Sequence, residues 1–277
     1  MLTSDGLATA RTLLFVPGDR PDRFRKAAAS GADAVVLDLE DAVAPDRKDE
    51  ARGHVAAWLE AGHDAVVRIN AVGTLWHGAD IEALVDILGG HAHAVMLSKT
   101  EHPGQVTAVL GSLPAGSYMI PLIETAAGVL GARAICEARG VVRPAFGHID
   151  LAAQLGVSPD ARAALVTARS TLVLAAAAAD CAPPLDGVTT SIGDQALLLA
   201  DIWHAVELGF TGKLCIHPSQ VAAVHAALVP TAAELAWARE VLAVSGDGSA
   251  VAHNGQMIDR PVLLRAQRLV ELAKRTA

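Results

Sequence analysis

Short apolar runs recur along the chain and alternate with longer stretches of mixed polarity. The runs fall at 13–16, 34–39, 66–69, 94–97, 118–123, 142–146, 186–189 and 213–216. Brief β-branched and apolar runs bounded by turn residues read as strands buried on both faces. Between them, helical spacing of apolar positions predicts helices over 20–30, 47–60, 81–88, 105–110, 126–137, 159–180 and 192–208, several entered by Pro, Asp or Ser and left through Gly. Eight strands with intervening helices predict an α/β fold of the (β/α)8, or TIM-barrel, kind. The alternative is an open doubly wound sheet for a dinucleotide. Its first turn would carry G-x-G-x-x-G, whereas the turn here reads FVPGDRP.

Past the eighth run come a helical pattern over 219–228, a break at Pro230 and Thr231, and a second pattern over 232–244. The polar stretch SGDGSAVAHNGQM and a final helix from about Pro261 complete the chain. The expected division is a catalytic barrel over 1–228 and a C-terminal helical extension over 229–277.

Composition narrows the function classes. Hydrophobic residues make up 52% and charged residues 19% of the 277, which excludes a disordered chain. Thirty acidic residues against 22 Lys and Arg give a net charge of −8, which disfavours nucleic acid and anionic membranes as partners. Cys136, Cys181 and Cys215 are odd in number and lack C-x-x-C spacing, so neither a disulfide framework nor a zinc ribbon is indicated. The start of the chain does not read as a secretory signal, and the longest plain apolar run, 172–179, is far short of a membrane span. A soluble, cytoplasmic protein is expected.

In such a barrel the active site lies at the C-terminal strand ends. The polar residues there are Asp38, Glu40 and Asp41, then Arg68 and Asn70, Lys99, Glu124, Asp150 and His217. Glu124 and Asp150 follow neighbouring strands and could form a Mg²⁺ pair, since Mg²⁺ needs only one or two carboxylates and takes its other oxygens from water and substrate. Helix capping or an ion pair at a loop is the structural alternative. Arg68 could clamp a substrate carboxylate, or pair with Glu40 or Asp41. Lys99 could simply be solvated. Asp38 and Glu40 should share one side of their strand, with Asp41 turned to the loop. His91 and His93 sit in a glycine-flanked stretch that reads as a solvated turn, and no G-x-S-x-G marks a nucleophile.

Several blocks in order resemble the citrate lyase β-subunit-like family, which includes malyl-CoA and citramalyl-CoA lyases. They are RTLLFVPGDRPDRF, GADAVVLDLEDAV, VVRINAVGTLWHGAD, VMLSKTE, PLIETAAGV, AFGHIDLAAQLG, DGVTTSIGD, GFTGKLCIHPSQV and NGQMIDRP. The resemblance covers nearly the whole chain. It implies a barrel whose C-terminal extension helps close a neighbouring subunit's site in a homo-oligomer, a trimer or hexamer. It makes Glu124 and Asp150 the ligands of Mg²⁺, or Mn²⁺, and gives Arg68 the substrate carboxylate or enolate oxygen. Asp259 becomes the acid or base.

By the same resemblance, CoA, carried as part of an acyl-CoA substrate, lies over the barrel mouth. Lys213, Ile216, His217 and Pro218 fall in the block that contacts it, with Arg20 or Arg25 near its phosphates. Two departures stand out: Ile149 where relatives often carry Glu before the ligand Asp, and Ser98 where Pro is common. The implied activity is Mg²⁺-dependent cleavage of a 3-hydroxyacyl-CoA to an acyl-CoA and a 2-oxo acid. The rivals are a citrate lyase β subunit acting on an acyl carrier protein's thioester, an aldolase for free 2-oxo acids, and a non-catalytic CoA-ester-binding protein.

Overall fold

The apolar runs become eight parallel strands that hydrogen-bond in chain order, with the last returning to the first. They are β1 (Thr12–Pro17), β2 (Ala34–Asp38), β3 (Val66–Ile69), β4 (Ala94–Leu97), β5 (Tyr118–Ile123), β6 (Ala145–Phe146), β7 (Leu185–Asp186) and β8 (Gly212–Cys215). The computed structural model describes residues 2–88, 93–244, 251–253 and 256–276. Closure into a TIM barrel leaves these strands without a free edge. Every strand gives residues to one shared interior cluster, among them Leu13, Val36, Val66, Met96, Ile120, Ala145, Leu185 and Leu214. Residues of the opposite parity therefore face the surrounding helices.

Those helices are α2 (Phe24–Ala28), α3 (Lys48–Glu60), α4 (His77–Leu88), α5 (Pro103–Ser112), α6 (Ala126–Cys136), α7 (His148–Leu155), α8 (Arg162–Ala178), α9 (Gln195–Leu208) and α10 (Pro218–Ala227). A short α1 (Ser4–Thr9) precedes the barrel and adds Leu7 to its interior cluster, closing the end from which the strands start. The structure corrects several expected boundaries. The expected strand at 142–146 shrinks to Ala145–Phe146, because Pro144 cannot donate to a ladder, and the one expected at 186–189 is instead Leu185–Asp186, directly after Pro183 and Pro184. The expected helix over 20–30 opens as a 3-10 turn, Pro21–Arg23, before α2. The helix α7, absent from the sequence reading, starts directly after β6 and ends on Gly156 at φ +70°.

Arg143 ties this lower end together. Its side chain is fully buried and donates to the carbonyls of Leu7 (3.2 Å), Ala10 (2.7 Å) and Pro183, and to Thr211 Oγ1 (2.7 Å). Burial pushes its pKa down to about 9, and the guanidinium stays a cation in this cage of acceptors.

The chain divides into two compact units, Met1–Val224 and His225–Ala277. The second unit contains α11 (Ala232–Val244), an antiparallel hairpin of β9 (Val251–His253) and β10 (Gln256–Ile258), and α12 (Arg260–Thr276). Ala238, Val241, Ile258 and Ala266 form its own core, beside which Arg265 lies 4.9 Å from the Trp237 ring centre. The hairpin occupies part of the stretch read from sequence as merely polar. An 18-residue stretch within 218–244 reaches a mean hydropathy of 1.4, yet the segment forms helices of 10 and 13 residues split at Pro230, each short of the ~20 a membrane span needs.

Replacing Arg143 with Met would strand the carbonyls of Leu7, Ala10 and Pro183 in the interior. The variant is expected to lose at least about 3 kcal/mol of stability, visible as a lower urea unfolding midpoint.

Candidate active site

The register of β2 against β3 sets Asp38 directly opposite Arg68. The two form a bidentate pair, Nε to Oδ1 at 2.7 Å and Nη2 to Oδ2 at 2.5 Å. Arg68 Nη1 lies 3.1 Å from Glu40 Oε2, and the guanidinium sits 4.8 Å from the Phe15 ring centre. The expected pairing alternatives were Glu40 or Asp41. The structure gives Glu40 and Asp38, while Asp41 turns instead to Lys99. Burial would lower the Arg68 pKa, but Asp38, then Glu40 and Glu124, reverse this and hold it above the ordinary value. Arg68 is thus a permanent, fixed cation, and two of its five N–H groups remain for a ligand.

The loops beneath this pair have their own support. Lys48 is buried and donates to the carbonyls of Leu39 (2.7 Å) and Glu40 (2.8 Å) and to Asn70 Oδ1 (2.9 Å). Asn70 in turn bonds Asp80 through both its backbone and its side chain. Sequence reading missed Lys48 and Asp80. The available signal was that Lys48 continues the buried stripe Ala51, Val55 and Leu59 of α3.

Lys99, read from sequence as simply solvated, instead gathers the remaining acids. Its Nζ bonds Glu40 and lies 3.2 Å from both Asp41 Oδ2 and Asp150 Oδ2, while its backbone N–H donates to Glu124 Oε1 at 2.8 Å. Glu124 follows β5 and is buried, whereas Asp150 occupies the first turn of α7 and is partly exposed. Gly147 lies so close to Glu124 that a Cβ there would strike its carboxylate. Burial, reinforced by the charges of Glu40 and Asp150, pushes the Glu124 pKa up to about 8.

Five carboxylates, Asp38, Glu40, Asp41, Glu124 and Asp150, are thus joined to two cations, Arg68 and Lys99. With all five ionised, as dication binding would require, that is an excess of three negative charges, and the proton on Glu124 lowers it to two in metal-free protein at neutral pH. A buried acid made reluctant to ionise by neighbouring acids is the donor a dication would relieve. Among the described residues no group of three or more His, Cys, Asp or Glu is placed to hold a metal. A two-carboxylate, all-oxygen set suits Mg²⁺, which keeps water and substrate oxygens, and does not suit zinc.

Next to Arg68, through Phe15, opens a cavity of about 430 Å³ lined by Phe15, Arg23, Lys26, Ile192, Ile216, His217 and Pro218 among others. The expected CoA-contact residues Ile216, His217 and Pro218 therefore share one cavity. Lys213 does not reach it. Its side chain points to the helix layer, where Nζ donates to Gly187 O and lies 3.4 Å from Asp186, beside Arg169 and His148. The reason is parity: Leu214 faces the interior, so Lys213 faces out. Arg20 spends its charge on Asp22 at 3.0 Å, and the cations lining the cavity are Arg23 and Lys26 rather than Arg20 or Arg25.

Asp259 belongs to the second unit, where it precedes α12 and accepts from Val262 N at 3.3 Å. His91 lies outside the described residues, as do 245–250 and 254–255.

A family profile described as HpcH/HpaI aldolase/citrate lyase matches residues 11–218, and one described as a C-C bond lyase of the TIM-barrel fold matches 165–275. A citrate lyase subunit beta-like protein of Mycobacterium tuberculosis is 41% identical over 94% of each chain. The mitochondrial citramalyl-CoA lyase of Rattus norvegicus is 32% identical over 95% of this chain and 86% of its own. The crystal structure of protein CitE from Mycobacterium tuberculosis, in complex with magnesium, acetoacetate and coenzyme A, superposes with a TM-score of 0.84. It shares 41% identity, covering 96% of this chain and 99% of that one.

The raised Glu124 pKa has a stability signature in metal-free protein. Between about 4.5 and about 8 the folded protein holds a proton that the unfolded chain has lost, so this contribution favours folding at low pH and fades as pH rises through about 8. Glu124→Gln is therefore expected to gain stability relative to the parent across that window, by up to a few kcal/mol, and then to level off. Thermal unfolding in chelator across the range checks it.

Proposed function

Since the chain belongs to the HpcH/HpaI aldolase/citrate lyase family of carbon–carbon lyases, we propose that it cleaves a 3-hydroxyacyl-CoA of the malyl-CoA or citramalyl-CoA type. The products are an acyl-CoA and a 2-oxo acid, and the reverse condensation uses the same groups. The observation that carries this reading is the union, at one barrel mouth, of a fixed guanidinium and an acid pair in negative excess.

Mg²⁺, or Mn²⁺, would be held by Glu124 and Asp150 and would supply Lewis-acid polarisation of the substrate's 3-oxygen and adjacent carboxylate. Arg68 holds the thioester oxygen as negative charge develops on it when the bond between carbons 2 and 3 breaks. Its own position does not relax during that step, because Asp38 grips two of its nitrogens and Glu40 a third. The 3-hydroxyl gives up its proton as its oxygen becomes the 2-oxo group, and, on the family resemblance, an Asp259 brought by a neighbouring subunit's extension returns a proton to carbon 2 of the leaving acyl-CoA. The neighbouring cavity takes the CoA moiety, with Arg23 and Lys26 facing its phosphates and Ile192, Ile216 and Pro218 its apolar parts. A homo-oligomer in the cytoplasm completes the reading, on the family resemblance.

Mass-spectrometric product analysis with malyl-CoA, β-methylmalyl-CoA and citramalyl-CoA, each with Mg²⁺ and with chelator, tests it. Chelator-sensitive release of an acyl-CoA and a 2-oxo acid is expected from at least one thioester. No cleavage across the panel would defeat the free-CoA reading and turn attention to a carrier-protein thioester. Glu124→Ala and Asp150→Ala should each abolish metal-dependent turnover without unfolding the barrel. Asp259→Asn keeps a capping side chain for α12 and should slow deuterium exchange at carbon 2 by about 10²–10⁴-fold while leaving acyl-CoA binding intact.

A further inference from the structure

Lys99 touches both carboxylates assigned to the dication. Its backbone N–H holds Glu124 Oε1 at 2.8 Å, and its ammonium lies 3.2 Å from Asp150 Oδ2. The same ammonium bonds Glu40 and lies 3.2 Å from Asp41 Oδ2. The residue adopts φ +49°, the left-handed region that an L side chain enters at a cost and keeps only where its surroundings impose it. Here the imposing contact is Glu124, whose carboxylate takes the Lys99 N–H.

Glu40 extends the arrangement, because its Oε2 faces Arg68 while its Oε1 bonds Lys99. One carboxylate thus couples the cation of the acid pair to the cation that faces substrate. A lysine serving only as surface would extend into water. This one is spread over three carboxylates.

We propose that Lys99 is a tethered counter-ion of the dication site. In metal-free protein its ammonium neutralises Asp150 and Glu40. When a dication takes Asp150, the ammonium gives up that carboxylate and keeps Glu40 and Asp41, so the incoming ion must displace one ion pair and then sits beside a retained positive charge. Lys99 therefore weakens dication binding and keeps the acid cluster from repelling itself apart when metal leaves. It is a positioning residue, and the inference rests on the assignment of Glu124 and Asp150 as ligands.

The test uses the full chain stripped of metal, with Mn²⁺ affinity read from the paramagnetic signal of the free ion and unfolding temperature read with and without Mn²⁺. Lys99→Met is expected to bind Mn²⁺ about tenfold tighter or more, because a repelling charge is gone from contact distance. Its metal-free form should melt lower and its gain on adding Mn²⁺ should be larger than the parent's. Lys99→Arg keeps the charge and should stay within about threefold of the parent. Lys99→Gln, which retains a donor for Glu40, carries the same expectation as Lys99→Met and replaces it if that variant does not fold. Equal or weaker Mn²⁺ binding by the neutral variants would overturn the counter-ion role alone. A parent protein that binds no Mn²⁺ would instead overturn the ligand assignment beneath it.

Discussion

Charge taken out of water must be matched, and at this barrel mouth it is matched only in part. The bidentate grip of Asp38 on Arg68, set by the β2–β3 register, is the fixed point. Glu40 is buried because Arg68 and Lys99 both face it, and burial still raises its pKa against their pull. Glu124 has no such pair of cations and is left strained between ionising and holding a proton. The remaining negative excess is a functional design: a complete set of internal ion pairs would have left no reason for a dication to enter.

Beneath the mouth a buried ammonium is held by dipoles, where the mouth above pairs charge with charge. Lys48 donates to two carbonyls and an amide oxygen and touches no carboxylate directly. Its charge is compensated at longer range by Asp38, Glu40 and Asp80, while burial lowers its pKa. The β2 and β3 loops are thereby stitched by groups that do not compete for Arg68 or for a substrate anion. Rigidity and chemistry are supplied by different residues a few ångströms apart.

Much of this was legible in the chain. Strand ends could be read from apolar runs, and the rule that barrel chemistry sits at C-terminal strand ends selected Asp38, Glu40, Arg68, Glu124 and Asp150 together. What failed was direction. Lys213 and Ile216 lie in one short block but differ in parity, so they serve opposite faces of the wall. Lys99 looked solvated because nothing local announces an acid 59 residues away. Asp150 was read as a strand-end residue, whereas α7 begins with no intervening loop. Arg143, inside an apparent strand, gave no sign that its partners were carbonyls in and just after α1, carbonyls of one later loop and a hydroxyl of another.

Those partners also order events in time. Arg143 links carbonyls that precede β1 and β7 with a hydroxyl that precedes β8, positions up to 136 residues away from it along the chain. None of the later partners exists while the ribosome is still making the first half of the barrel. A growing chain therefore lacks one of this guanidinium's partners until Thr211 has emerged, and the floor can lock completely only near the end of synthesis. The arrival of β8 thus completes two things at once, the ring of strands and the cage around Arg143.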